Sequence, residues 1–92
     1  ELDVTDRYLP GDVNMRDRLV AEAYREFLAV ALAQPAVVGV TTWGLSDRYT
    51  WLSWHAPRQD KLAVRPLPYS DRLEPKPAYL AIAAAFKNAP KR

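Results

Sequence analysis

The chain contains no cysteine, so disulfides, thiolate catalysis and zinc-thiolate sites are excluded together. It holds one histidine, His55, which leaves no basis for a histidine-built metal centre or a Ser-His-Asp triad among these residues. No run of about 18 apolar residues occurs, so no membrane-spanning helix is expected. No single-sign block of charge occurs either. The 13 basic and 11 acidic residues are interleaved and sum to +2, which argues against a nucleic-acid stripe or a polybasic membrane anchor as partner surface. Neither a metal nor a cofactor is expected. The 92 residues suffice for one small domain and are too few for two. The N-terminal ELDVTD has neither an initiator methionine nor a signal-peptide pattern, and reads as the middle of something.

Apolar periodicity divides the rest into four elements. In residues 1–4, Leu2 and Val4 alternate with Glu1 and Asp3, as at the end of a strand. Pro10, Gly11, Asp12 and Asn14 form a loop that ends in helix N-cap candidates. From about Met15 to Ala33 the spacing predicts a helix with an apolar face of Leu19, Val20, Ala23, Phe27, Val30 and Ala31, stopped by Pro35. Arg18, Glu22 and Arg25 lie opposite at pairing distances. VVGVTTW, residues 37–43, is short, β-branched and apolar, as expected of a strand buried on both faces. A long connection follows from Gly44 to about Pro75. The last helix starts at Pro77, a tolerated first position, with Tyr79, Ile82, Ala83 and Phe86 as its buried stripe.

The order strand, helix, strand, helix implies an α/β fold with a parallel sheet covered by helices. Two strands alone leave both sheet edges open and most apolar helix surface without a partner. The expectation is therefore a portion of a larger fold.

The chemistry gathers at two places. All three tryptophans, Trp43, Trp51 and Trp54, fall in GVTTWGLSDRYTWLSW, residues 39–54. In parallel α/β folds ligands bind at the carboxyl ends of strands and in the loops that follow. An indole stacks on the apolar face of a pyranose with few rotors to freeze. The competing reading is that these rings fill core. Glu1 and Asp3 stand at i and i+2, which directs both carboxylates to one face of a strand. Such a pair is costly as packing and suited to charge work at an anomeric carbon, unless the two are solvated terminal charges. Asp47 and Arg48 read as structural, Asp47 through an Asx-type turn and Arg48 paired to it or in solvent. His55 reads as a solvated loop side chain.

Taken in order, these stretches resemble the C-terminal part of a glycoside hydrolase family 10 endo-1,4-β-xylanase. ELDV resembles the end of the family's T-E-L-D strand, and RDRLVAEAYREFLAVALAQPAV the helix after it. TTWGLSDRYTWL is similar to the signature W-G-x-x-D-x-x-S/T-W, and RPLPYSDRLEPKPAYLAI to the P-L-x-F/Y stretch leading through K-P-A-Y into the final helix. The resemblance covers essentially residues 1–92. It departs at Ser70-Asp71, where aspartate often follows the aromatic directly.

What the resemblance implies is a (β/α)8 TIM barrel of which this chain supplies strands seven and eight with their helices. It implies retaining hydrolysis of xylan, with Glu1 as nucleophile and Asp3 supporting it through a neighbouring histidine. It implies that Trp43 and Trp51 line the sugar cleft and that Asp47 holds its loop. The partners would be xylan or xylo-oligosaccharides and the remainder of the barrel, and the location secreted or periplasmic. A retaining glycosidase needs two carboxyl groups about 5–5.5 Å apart. The family's acid/base glutamate belongs to strand four and the histidine to strand six, so by itself the chain is expected to be inactive. The alternative is a non-catalytic fragment that complements another chain or only binds xylan. A further alternative is an unrelated small α/β domain.

Overall fold

The computed structural model describes residues 1–91. Helix α1 spans Val13–Ala31 and begins where Asp12 accepts hydrogen bonds from the backbone N–H of Asn14 and Met15, satisfying two of the donors a helix start leaves open. Helix α2 is the single turn Leu52–His55, preceded by a 3-10 turn at Asp47–Tyr49 in which the Arg48 N–H donates to the Ser46 hydroxyl. Helix α3, Pro77–Lys87, starts on proline and runs through alanines that favour helix.

Helices α1 and α3 pack side by side. Val20, Ala21, Tyr24 and Leu28 of α1 and Ala78 of α3 are buried with Leu2 and Leu32, and Ala81, Ile82, Ala85 and Ala89 pack around them. The buried column of α1 therefore differs from the expected one. Val20 is shared, but Phe27 and Val30 are exposed, and the inward positions belong to Tyr24 and Leu28. The reason is that α1 carries apolar residues on two sides, and only one of them meets α3. In α3 the same holds. Small Ala78, Ala81 and Ala85 allow close approach to α1, whereas Tyr79 and Phe86 of the expected stripe lie outside that contact and remain 40% and 45% exposed.

The two expected strands reduce to one parallel bridge, Leu2 with Thr42, in which the Leu2 N–H donates to the Thr41 carbonyl at 2.8 Å. Only the few residues around Leu2 lie beside 37–43, so a single register point forms instead of a ladder. That point places residues 1–3 beside 41–43. Between the 40–45 segment and α3 an apolar groove remains open, floored by Leu2 and Leu28 and walled by Val40, Leu45, Tyr79 and Phe86.

The connection from Gly44 to Pro75 holds local structure of its own. Besides the two short helical turns, Tyr69 bridges both Ser46 and Pro75. Its second half is bound to the chain before and within α1. Arg58 donates to the carbonyls of Asp6 and Leu9, Arg16 to that of Ala63, and the Tyr24 hydroxyl to that of Pro66 at 2.6 Å. Burial raises the Tyr24 phenol well above its ordinary value, aided by the carboxylates of Asp3 and Asp47.

Candidate active-site wall

The Leu2–Thr42 bridge organises the site. It sets Glu1 and Asp3, on either side of Leu2, next to the segment that ends in Trp43. Glu1 is exposed; Asp3 is partly buried. Trp43 is 53% exposed, which rules out the core reading of that ring within this chain. Gly44 then turns the chain at φ +117°, a conformation that disfavours any side chain, and the Thr42 hydroxyl holds the turn by donating to the Gly44 carbonyl.

Trp51 returns to the same end. Its indole N–H donates to Asp3 Oδ2 at 3.1 Å, so one carboxylate oxygen of the first segment fixes the ring of the loop. Asp3 Oδ1 is buried with no hydrogen-bond partner among the described residues. A buried carboxylate oxygen left unpaired is costly, and this one keeps its capacity to accept a further hydrogen bond. The other ring neighbours of Trp51 are His55, stacked at 4.3 Å and 28°, and Trp54, edge-on at 5.9 Å and 70°. Thus Asp3, Trp51, Trp54 and His55 form one connected group. Glu1 and Trp43 adjoin it through the bridge.

Asp47 does not close the local Asx-type turn that its position suggests. The local cap is Ser46, and Asp47 reaches across the loop instead. Its Oδ1 accepts from the Leu67 N–H at 2.8 Å and its Oδ2 from Lys76 Nζ at 2.7 Å. Lys76 also donates to the Arg65 carbonyl and lies 3.9 Å from Asp17, which Arg65 grips through two parallel hydrogen bonds of 2.8 Å. Arg48 does not pair with Asp47; it projects outward over the ring of Tyr49. Burial pushes the Asp47 carboxyl above its ordinary range even against the pull of Lys76, and burial likewise pushes the Lys76 ammonium down against the pull of Asp47. Both shifts say that desolvation outweighs pairing here.

Lys76, Asp17, Arg65 and Tyr24 did not stand out in the sequence. One signal was present: Asp17 precedes Val20, Ala21 and Tyr24 at three, four and seven residues, so it sits in the buried column of α1 and demands a cation. Among the described residues no cluster of three or more His, Asp or Glu side chains is arranged to hold a metal ion.

The geometry has solved counterparts. The chain overlays native xylanase 10B from Thermotoga maritima with a TM-score of 0.76 and 26% identity, covering 95% of this chain and 25% of that one. It overlays xylanase 10B from Thermotoga petrophila, solved in complex with xylobiose, with a TM-score of 0.75, 26% identity and the same coverage. These neighbours are TIM-barrel xylanases, so the fold is that of a segment of such a barrel. The sequence profile of glycosyl hydrolase family 10 matches residues 1–85, and the chain belongs to that family. Among characterised relatives, endo-1,4-beta-xylanase B of Thermotoga neapolitana is 34% identical over 79 residues, 84% of this chain and 22% of that protein. The chain spans about a quarter of the length of the xylanases it matches.

Proposed function

We propose that the complete barrel is a retaining endo-1,4-β-xylanase and that this segment supplies its nucleophile and one wall of its sugar cleft. The observation that carries the reading is the joining of the two short motifs. The Leu2–Thr42 bridge and the Trp51–Asp3 hydrogen bond bring the carboxylates of ELDV and the tryptophans of the W-G signature to one end of the fold. An exposed carboxylate beside the exposed Trp43 indole and the half-buried Trp51 indole suits a neutral pyranose whose anomeric carbon gains positive charge in the transition state.

In this mechanism a Glu1 carboxylate oxygen bonds to the anomeric carbon as the glycosidic C–O bond breaks. The leaving oxygen takes its proton from an acid/base carboxyl elsewhere in the barrel. Water then adds to the same carbon, losing a proton to that group, and Glu1 departs as carboxylate, with net retention. Asp3 steadies the arrangement, one oxygen on Trp51 and the other on an imidazole N–H from the neighbouring strand. Trp43 and Trp51 stack against the sugar. Secretion or a periplasmic location accompanies this reading, since polysaccharide is met outside the cell.

The open apolar groove between the 40–45 segment and α3 favours action within the barrel over action alone. By the same reading the acid/base carboxyl group comes from another part of the barrel, and the segment by itself is proposed to be inactive. The test is Glu1→Gln in the complete barrel. Loss of nearly all xylan cleavage with an unchanged melting temperature is expected, and near-normal turnover would falsify the assignment.

A further inference from the structure

Trp54 is the most exposed tryptophan, at 72%, yet the turn that carries it is anchored. A single helical turn such as α2 does not persist on its own. It is held at its start, where the Leu52 N–H donates to the Thr50 hydroxyl and the Ser53 hydroxyl donates back to the Thr50 carbonyl. Leu52 is buried and anchors the turn from below. Residues two apart on a helix face opposite ways, so burying Leu52 turns Trp54 outward. The inward position of this turn is already taken, and the largest side chain has the outward one.

The ring is also not isolated. Trp51, Trp54 and His55 touch one another, and the Trp54 plane stands at 70° to Trp51 and 85° to His55. Two indoles so inclined do not stack on the same flat ring. They do suit successive rings of a chain that turns about its own axis from one residue to the next. The indole N–H of Trp54 and the ring nitrogens of His55 are of the kind that bond sugar hydroxyls at the edge of such a platform.

From this geometry we infer that Trp54, with His55 at its edge, is a second carbohydrate platform. It takes a pyranose of the same xylan chain further from the scission point than the ring held at Trp51. This rests on the xylanase reading above. The occupant is a neutral sugar chain, since the platform continues the aromatic surface of Trp51.

The test is Trp54→Ala and Trp54→Phe in the complete barrel, with kcat and KM measured on a long xylo-oligosaccharide and on a short aryl xylobioside, and melting temperature measured alongside. Expected for Trp54→Ala is a loss of about tenfold in kcat/KM on the long substrate, mostly in KM, with little change on the short one. Trp54→Phe should retain part of the difference. An unchanged long-to-short ratio overturns the proposal, and joined to a lowered melting temperature it assigns Trp54 to packing against the rest of the barrel. Failure of the underlying reading looks different: the unsubstituted barrel would turn over neither substrate.

Discussion

Lys76 Nζ lies 2.7 Å from Asp47 Oδ2, with both side chains 97% removed from solvent, and this pair ties the start of α3 to the loop that carries the tryptophans. A buried pair of this kind need not stabilise the fold. Its removal as a pair and its removal by halves have different consequences, because a single deletion strands a charge in a low-dielectric interior.

Lys76→Met should therefore destabilise the complete barrel by about 3–5 kcal/mol, while the double variant Asp47→Leu, Lys76→Met should recover much of the loss. The pH dependence follows from the raised Asp47 carboxyl. A folded-state value above the unfolded one contributes stability that is fully present below the unfolded value and lost as pH rises through the folded value. Without Lys76 the carboxyl rises further, so the deficit of Lys76→Met should narrow as pH falls from neutral into the acid range. Urea titrations at several pH values check this; a deficit that widens toward acid would contradict it.

Gly44→Ala tests the turn after Trp43. At φ +117° an added side chain is strained, and its Cβ would meet Leu67 Cδ1 at 3.0 Å. Leu67 is itself fully buried and has little room to give way. A loss of about 1–3 kcal/mol is expected from the strained backbone, together with a raised KM as Trp43 shifts. Thermal melts and initial rates on xylan decide it. Wild-type values in both would mean that the turn relaxes at no cost.

Asp3→Ala separates the two oxygens of that carboxylate. Trp51 loses its indole partner, and the ring is freed to change rotamer. The expectation is a fall of about tenfold or more in kcat/KM, with altered tryptophan emission. Asp3→Asn keeps an acceptor for the indole N–H through its amide oxygen. It should restore the emission, and should not fully restore kcat if the second oxygen serves the nucleophile. Equal recovery of both signals would confine Asp3 to holding Trp51.

Much of the helical organisation was legible in order of residues alone. Asp12 before Val13, Pro35 after α1 and Pro77 at the start of α3 are local signals, since caps and prolines act within one turn of chain. The faces were less legible. Phe27 and Val30 satisfy the periodicity of α1 as well as Tyr24 and Leu28 do, and only the position of α3 selects between them. The strands were legible only as far as one parallel bridge, because β-branched composition at 37–43 does not by itself provide a neighbour with which to form a ladder.

By itself the sequence determined the membership in the family, the two motif clusters and the helix ends, all of which are written in short contiguous stretches. Tertiary structure alone decided which charges act together. Asp47 meets Lys76 across 29 residues, Asp17 meets Arg65 across 48, and Trp51 meets Asp3 across 48. Such partners are selected by burial, since a desolvated charge or donor must find its complement wherever the fold brings one near.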